Sequence, residues 1–151
     1  MSDRVTLAII ELSGEGVLSK YMSLRQRISL GMAIKAGVPE SPAYLDKTLA
    51  LAERIRKMPA TFQTESVALE DKVIHLRYFN NGATVWVIEK DKGSVDENNQ
   101  TQAFGYVDLY GHGLKNAELG YLSLDEYIEA GMELDIEFQP TTYKNLIEQN
   151  A

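Results

Sequence analysis

His112 lies in the stretch DLYGHGLKN, four residues after Asp108 and six before Glu118. A carboxylate near an imidazole can orient it as a general base, and carboxylates with an imidazole can also share a metal ion. Two glycines beside the histidine would let a ligand approach. On that reading, Asp108, His112 and Glu118 form the site of a small metal-dependent hydrolase. A protein metal site needs three or four converging ligands, and this segment offers three at most. A glycine-rich turn with an exposed histidine is the simpler account. The only other histidine, His75, sits beside Arg77 on the polar side of an alternating segment. There is no cysteine, which removes disulfides, thiol nucleophiles and cysteine zinc sites. Gly14-Glu15-Gly16 is not completed to a phosphate-binding loop, and no G-x-S-x-G elbow or H-x-x-x-H pair occurs. The expectation is a protein with no catalytic residue, no metal and no cofactor.

Charge offers more than nucleophiles do. Residues 133–138, ELDIEF, place Glu133, Asp135 and Glu137 at alternate positions. On a strand they would project from one face about 6.5–7 Å apart. Asp125, Glu126 and Glu129 precede them. Fixed carboxylates at that spacing could occupy Lys and Arg side chains that otherwise grip nucleic-acid phosphates. The plain alternative is the wet side of a half-buried strand. Cations gather elsewhere: Arg25, Arg27, Arg54 and Arg56 lie on two helical segments, interspersed with Asp46 and Glu53. They are the candidate contacts for a nucleic acid, the less favoured partner because the acids break any clean basic stripe.

The bulk charge admits a binding role, although solubility alone is the simpler account of it. Residues 1–72 carry ten Lys and Arg against nine Asp and Glu, whereas residues 73–151 carry five against thirteen, so the second half holds a net −8. An acidic half repels nucleic acid and anionic membranes and attracts basic protein surfaces. The chain of 151 residues, 44% hydrophobic and 25% charged, is long enough to bury a core. No apolar run approaches the roughly 20 residues of a membrane span, and no signal-peptide pattern opens the chain. A cytoplasmic protein with no membrane partner is expected.

The elements that must position these groups can be read from period and punctuation. Residues 4–12, RVTLAIIEL, are rich in β-branched and aliphatic residues and predict a strand. Ser23 with Gln26 has capping-box spacing, and Leu24, Ile28 and Met32 follow at helical intervals. Ser41 as N-cap and Pro42 at the first helical position open a second helix with Leu45, Leu49, Ala52, Ile55 and Met58 on one stripe. From residue 60 the period becomes two. Residues 64–69 predict a short strand, Ile74, Leu76 and Tyr78 alternate with polar neighbours, and Asn81-Gly82 marks a hairpin. TVWVI, 84–88, is apolar on both faces and predicts a central strand; 90–102 predicts an exposed loop and 103–109 a third strand. Ser123 and Glu126 form a second capping box before a short helix, and residues 132–138 predict the last strand, followed by a helical turn in the tail. The fold class is α+β: an N-terminal strand and helical hairpin (1–60) packed as one compact unit on a mainly antiparallel sheet (61–151), with one short helix before the last strand.

The stretches YFNNGATVWVIEKDK and QAFGYVDLYGHGLKNAELGYLSLDEYIEAGMELDIEF, within residues 73–141, resemble a bacterial domain family of unknown function carried mainly on plasmids, integrative elements and phages. The E-L-G-Y-x-S core is the most specific part. The resemblance implies a mobile-element setting and a fold, and it brings no catalytic residue with it. Gly120, Tyr121, Ser123 and Glu126 are explained structurally as a strand-to-helix corner. With the acidic half, the expected function is a non-enzymatic protein that binds a protein partner, in the manner of an anti-restriction or anti-CRISPR nucleic-acid mimic. The alternatives are a nucleic-acid accessory protein and the small hydrolase above.

Overall fold

The computed structural model describes residues 2–93 and 99–149. The chain divides into two compact units, Met1–Lys57 and Met58–Ala151.

The first unit is helical. Helix α1, Asp3–Leu12, occupies the segment expected as a strand. Ser2 Oγ accepts from Val5 N at 3.2 Å, and Asp3 in the first turn complements the helix dipole. Ala8, Glu11 and Leu12 are buried at helical spacing, so packing overrides the β preference of Val, Thr and Ile. Helix α2, Leu24–Lys35, starts as expected, with Ser23 Oγ accepting from Gln26 N at 3.1 Å. Its buried residues are Leu30, Gly31 and Ile34, which leaves Leu24, Ile28 and Met32 exposed. Helix α3, Ser41–Lys57, buries Thr48, Leu51, Ala52 and Ile55. Ser41 lies inside it rather than at its cap: the hydroxyl donates to Ala33 O at 2.6 Å and accepts from Val38 N at 3.2 Å, locking the α2–α3 turn. The three helices pack on one another.

The second unit holds the sheet. Strands β1 (Val73–Ile74), β2 (Leu76–Asn80), β3 (Ala83–Glu89), β4 (Ala103–Asp108), β5 (Glu118–Leu122) and β6 (Glu133–Leu134) are followed by β7 (Thr141–Thr142). Five of them form an antiparallel sheet in the order β5-β4-β3-β2-β6, and β1 pairs with β7 beside it. The Asn81-Gly82 turn has φ of 45° and 87°, as a tight hairpin requires. TVWVI is central, as its two-sided apolarity requires, and Ile88 is inserted as a bulge. Helices α4 (Leu124–Glu129) and α5 (Tyr143–Gln149) complete the unit. Ser123 Oγ caps α4 by accepting from Glu126 N at 3.3 Å. One core cluster is Ile74, Trp86, Ile88, Tyr106 and Leu114, with Leu146 and Ile147 of α5 packed against it. Burial, then the neighbouring Tyr143, push the Tyr106 phenol up to about 12.

Three further expectations are corrected in this second unit. Residues 64–69 form turns, then a 3-10 turn at Leu69–Asp71, because the carboxylate of Glu89 takes the backbone N–H groups of Phe62 and Thr64. The strand expected over 132–138 is only β6, ending at Leu134: the Asp135 carboxylate accepts from Arg77 Nη1 and from Glu137 N, both at 2.9 Å, and bends the chain. The 90–102 loop is exposed only in part. Residues 94–98 lie outside the described residues, while Gln100 is fully buried, bonded to Asp91 and to the Asp125 carboxylate. Among the described residues no helix is long and apolar enough to cross a membrane.

Candidate functional site

At one end of the five-stranded sheet, β5 pairs among the described residues only with β4, so alternate backbone N–H and C=O groups on its other side face outward. A cavity of about 580 Å3 runs along that strand, lined by all five of its residues, by the loop after β4 and by Tyr127 of α4. Two devices shape it. The first is the capping box that turns β5 into α4 and places Tyr127. The second is Asp108, buried at the end of β4. Its Oδ1 accepts from Tyr110 N at 3.2 Å and His112 N at 3.1 Å, and its Oδ2 from Gly113 N at 2.7 Å. Burial alone would raise this carboxyl, but the bonds from Gly113, His112, Tyr110 and Gly111 together outweigh it and hold it below the ordinary carboxylate range. Gly111 and Gly113, at φ 76° and 92°, let the loop curl round it.

The structure therefore brings Asp108, His112 and Glu118 to one cavity, yet Asp108 is spent on its own loop. The described residues contain no group of three or more His, Asp or Glu able to hold a metal ion. His112 stands by Tyr110, ring centroids 6.0 Å apart.

Asp108→Asn tests this clamp. The amide keeps one acceptor oxygen and turns the other toward an N–H donor, so a loss of about 2 kcal/mol in urea unfolding is expected. A lowered folded pKa gives stability that is full above the unfolded value, near 3.9, and disappears as pH falls through the folded one. The gap between wild type and variant should therefore narrow in that acid window. A gap that stays constant down to the lowest pH would refute the assignment.

The rim is aromatic and acidic. Tyr121 is 57% exposed, packs on Phe104 at 5.4 Å between ring centroids and meets Phe62 edge-on at 6.0 Å. Phe62 is exposed and held at φ 75°, a costly backbone for a non-glycine residue. Burial first, then the charges of Glu126 and Glu118, raise the Tyr127 phenol, and Glu118 lines the cavity with it. Gly120 is the bare position on the strand: nothing lies within 4 Å of where its Cβ would stand.

The acidic residues expected to form one row divide. Glu126, Glu129, Glu133 and Glu137 are exposed. Asp125 accepts from Gln100 N, and Asp135 pairs with Arg77, so both serve the fold. With β6 ending at Leu134, Glu133, Asp135 and Glu137 do not share a strand face. The basic set divides too. Arg27 donates to Met22 O and Leu12 O, and Arg56 pairs with buried Glu11, while Arg25 is exposed and Arg54 half-buried. What the sequence reading missed is the groove along β5, whose one local signal is a glycine inside a strand. Comparison of the chain with protein-family models, curated proteins and solved structures finds no match.

Proposed function

We propose that the chain is a non-enzymatic binding protein that takes an extended, basic segment of a partner protein along β5. The observation that carries this reading is Gly120, a side-chain-free position on the edge strand of the sheet, open to a cavity lined by Tyr121, Tyr127 and Glu118. A glycine inside a strand leaves room for another backbone to approach. An added strand would gain main-chain hydrogen bonds from the edge and specificity from alternate side chains. Lys or Arg in that segment would meet Glu118 and Glu126, and their stems or guanidinium planes would stack on the tyrosines. The exposed carboxylates of Glu129, Glu133 and Glu137 add to the attraction at long range. The resemblance to a family carried on plasmids and phages supplies a setting, in which the partner would be a host defence nuclease and the bound segment one that grips phosphates.

Gly120→Trp tests the proposal. The substitution fills the groove, meets no atom of the chain at its Cβ and suits a strand, so the melting temperature should hold. Random extended peptides displayed against the wild-type chain should enrich Lys- and Arg-containing sequences. Their binding should slow amide exchange over 118–122 and weaken about thirtyfold in the variant. Peptides that bind the variant equally well, or that leave exchange in β5 unchanged, would sink the reading.

A further inference from the structure

The helical unit carries a second surface of opposite chemistry. Leu24, Ile28 and Met32 recur every fourth residue along α2, where such a stripe ordinarily faces a core. Here they are 62%, 54% and 68% exposed. Beside them α1 and α2 frame an open, mostly apolar groove of about 320 Å3 lined by Ile9, Leu12, Gly31 and the stripe itself. Gly31 opens it: a Cβ there would reach only Ile9 Cδ1, at 3.8 Å. Arg27 and Lys35 line the same cavity, Arg25 is exposed nearby on α2, and the helix LRQRISLGMAIK contains no acid.

We infer that this groove docks an amphipathic helix of a protein partner, one whose apolar ridge is flanked by Asp and Glu. Three features select that occupant. An apolar stripe at i, i+4, i+8 matches the ridge of a facing helix. A concave gap over a glycine takes one bulky anchor, which a flat lipid surface does not supply. A rim with cations and no acids along α2 complements carboxylates and repels a basic helix. The surface is independent of β5 in residues, shape and charge. A chain with both would couple a basic extended segment to an acidic helical one.

The probe is a displayed library of helical peptides with an apolar i, i+3, i+4, i+7 ridge and randomised flanking positions, selected on the full chain. The expected result is enrichment of Asp and Glu at the flanks. Binding should fall about thirtyfold in the double variant Ile28→Glu, Met32→Glu, whose sites are exposed and whose fold should persist by circular dichroism. Lys35→Glu should reverse the flank preference toward Lys and Arg. Selection without acidic flanks, or peptides that bind the double variant as tightly, overturns the proposal. So does concentration-dependent self-association of the wild type that the double variant abolishes, which would assign the stripe to a second copy. Binding to phosphatidylserine vesicles lost in the same variant would assign it to lipid. Because Gly120→Trp leaves this groove untouched, the two surfaces fail or stand separately.

Discussion

Glu89→Ala should cost the Met58–Ala151 unit about 3 kcal/mol in urea unfolding and free the loop that carries Phe62. Glu89 ends the central strand and is 4% exposed, with its carboxylate turned into the 60–64 loop. Oε1 accepts from Phe62 N at 3.0 Å, Oε2 from Thr64 N at 2.9 Å, and the Thr64 hydroxyl also bonds to Oε2. Buried Lys72 reaches the other side of Thr64, donating to its carbonyl and, at 2.9 Å, to its hydroxyl. The Ala variant loses a charged acceptor for two backbone donors and one hydroxyl, and it leaves the Lys72 ammonium without the negative charge across Thr64. Each bond to a charged group contributes about 1.5–3 kcal/mol, and partial access of water to the loop lowers the sum. Glu89→Gln keeps one acceptor and should lose about half as much. The functional consequence is specific. Phe62 is kept at φ 75° by this network, so amide exchange over 61–64 should accelerate in Glu89→Ala and affinity for β5-binding peptides should fall, while the α1–α2 groove is unaffected. A variant within 0.5 kcal/mol of wild type would show that the carboxylate is not the clamp.

Local chemistry was readable in the chain; long-range partners were not. Ser23 and Ser123 cap the helices they were expected to cap, because a capping box spans four residues and depends on nothing distant. Asn81-Gly82 and TVWVI are likewise set by φ preference and by two-sided burial. The segment RVTLAIIEL misleads because its β-branched residues report intrinsic preference, whereas burial of Ala8, Glu11 and Leu12 among helices decides the outcome. In 132–138 the alternation is real, but Asp135 is claimed by Arg77, 58 residues earlier, a partner no local pattern announces. The stripe on α2 shows the same limit in another form: its period is legible, and its direction depends on what Leu30, Gly31 and Ile34 pack against. Of the site, the acidic bias and the unusual glycine could be seen. The groove arises only once β5 pairs with β4 and Asp108 gathers its loop.

Gly105→Ala, one strand in from that groove, should be severely damaging for the addition of a single methyl. Gly105 of β4 pairs with Val87 of β3 on one side and with Gly120 of β5 on the other. A Cβ at Gly105 would lie far inside van der Waals contact of the Trp86 carbonyl oxygen, 3.0 Å from Trp86 C and 3.1 Å from Val87 Cα. These are backbone atoms of the central strand, at the bulge that inserts Ile88, so they cannot swing aside as a side chain would. Overpacking of this kind costs up to about 3 kcal/mol and more where backbone must shift. The expected result is a second unit that is unfolded, or destabilised by more than about 3 kcal/mol, with the tryptophan fluorescence of Trp86 shifted toward its unfolded value. Gly120→Ala is the matched control: in the same rung it meets nothing within 4 Å and should be neutral or stabilising by up to about 1 kcal/mol. The two glycines thus differ sharply although they face each other in the register of β4 and β5. Gly105 makes room for the protein's own strand, and Gly120 leaves open the space in which we propose that a partner's segment lies. Equal stability in the two alanine variants would remove both the close approach at Gly105 and the contrast on which the β5 groove is read.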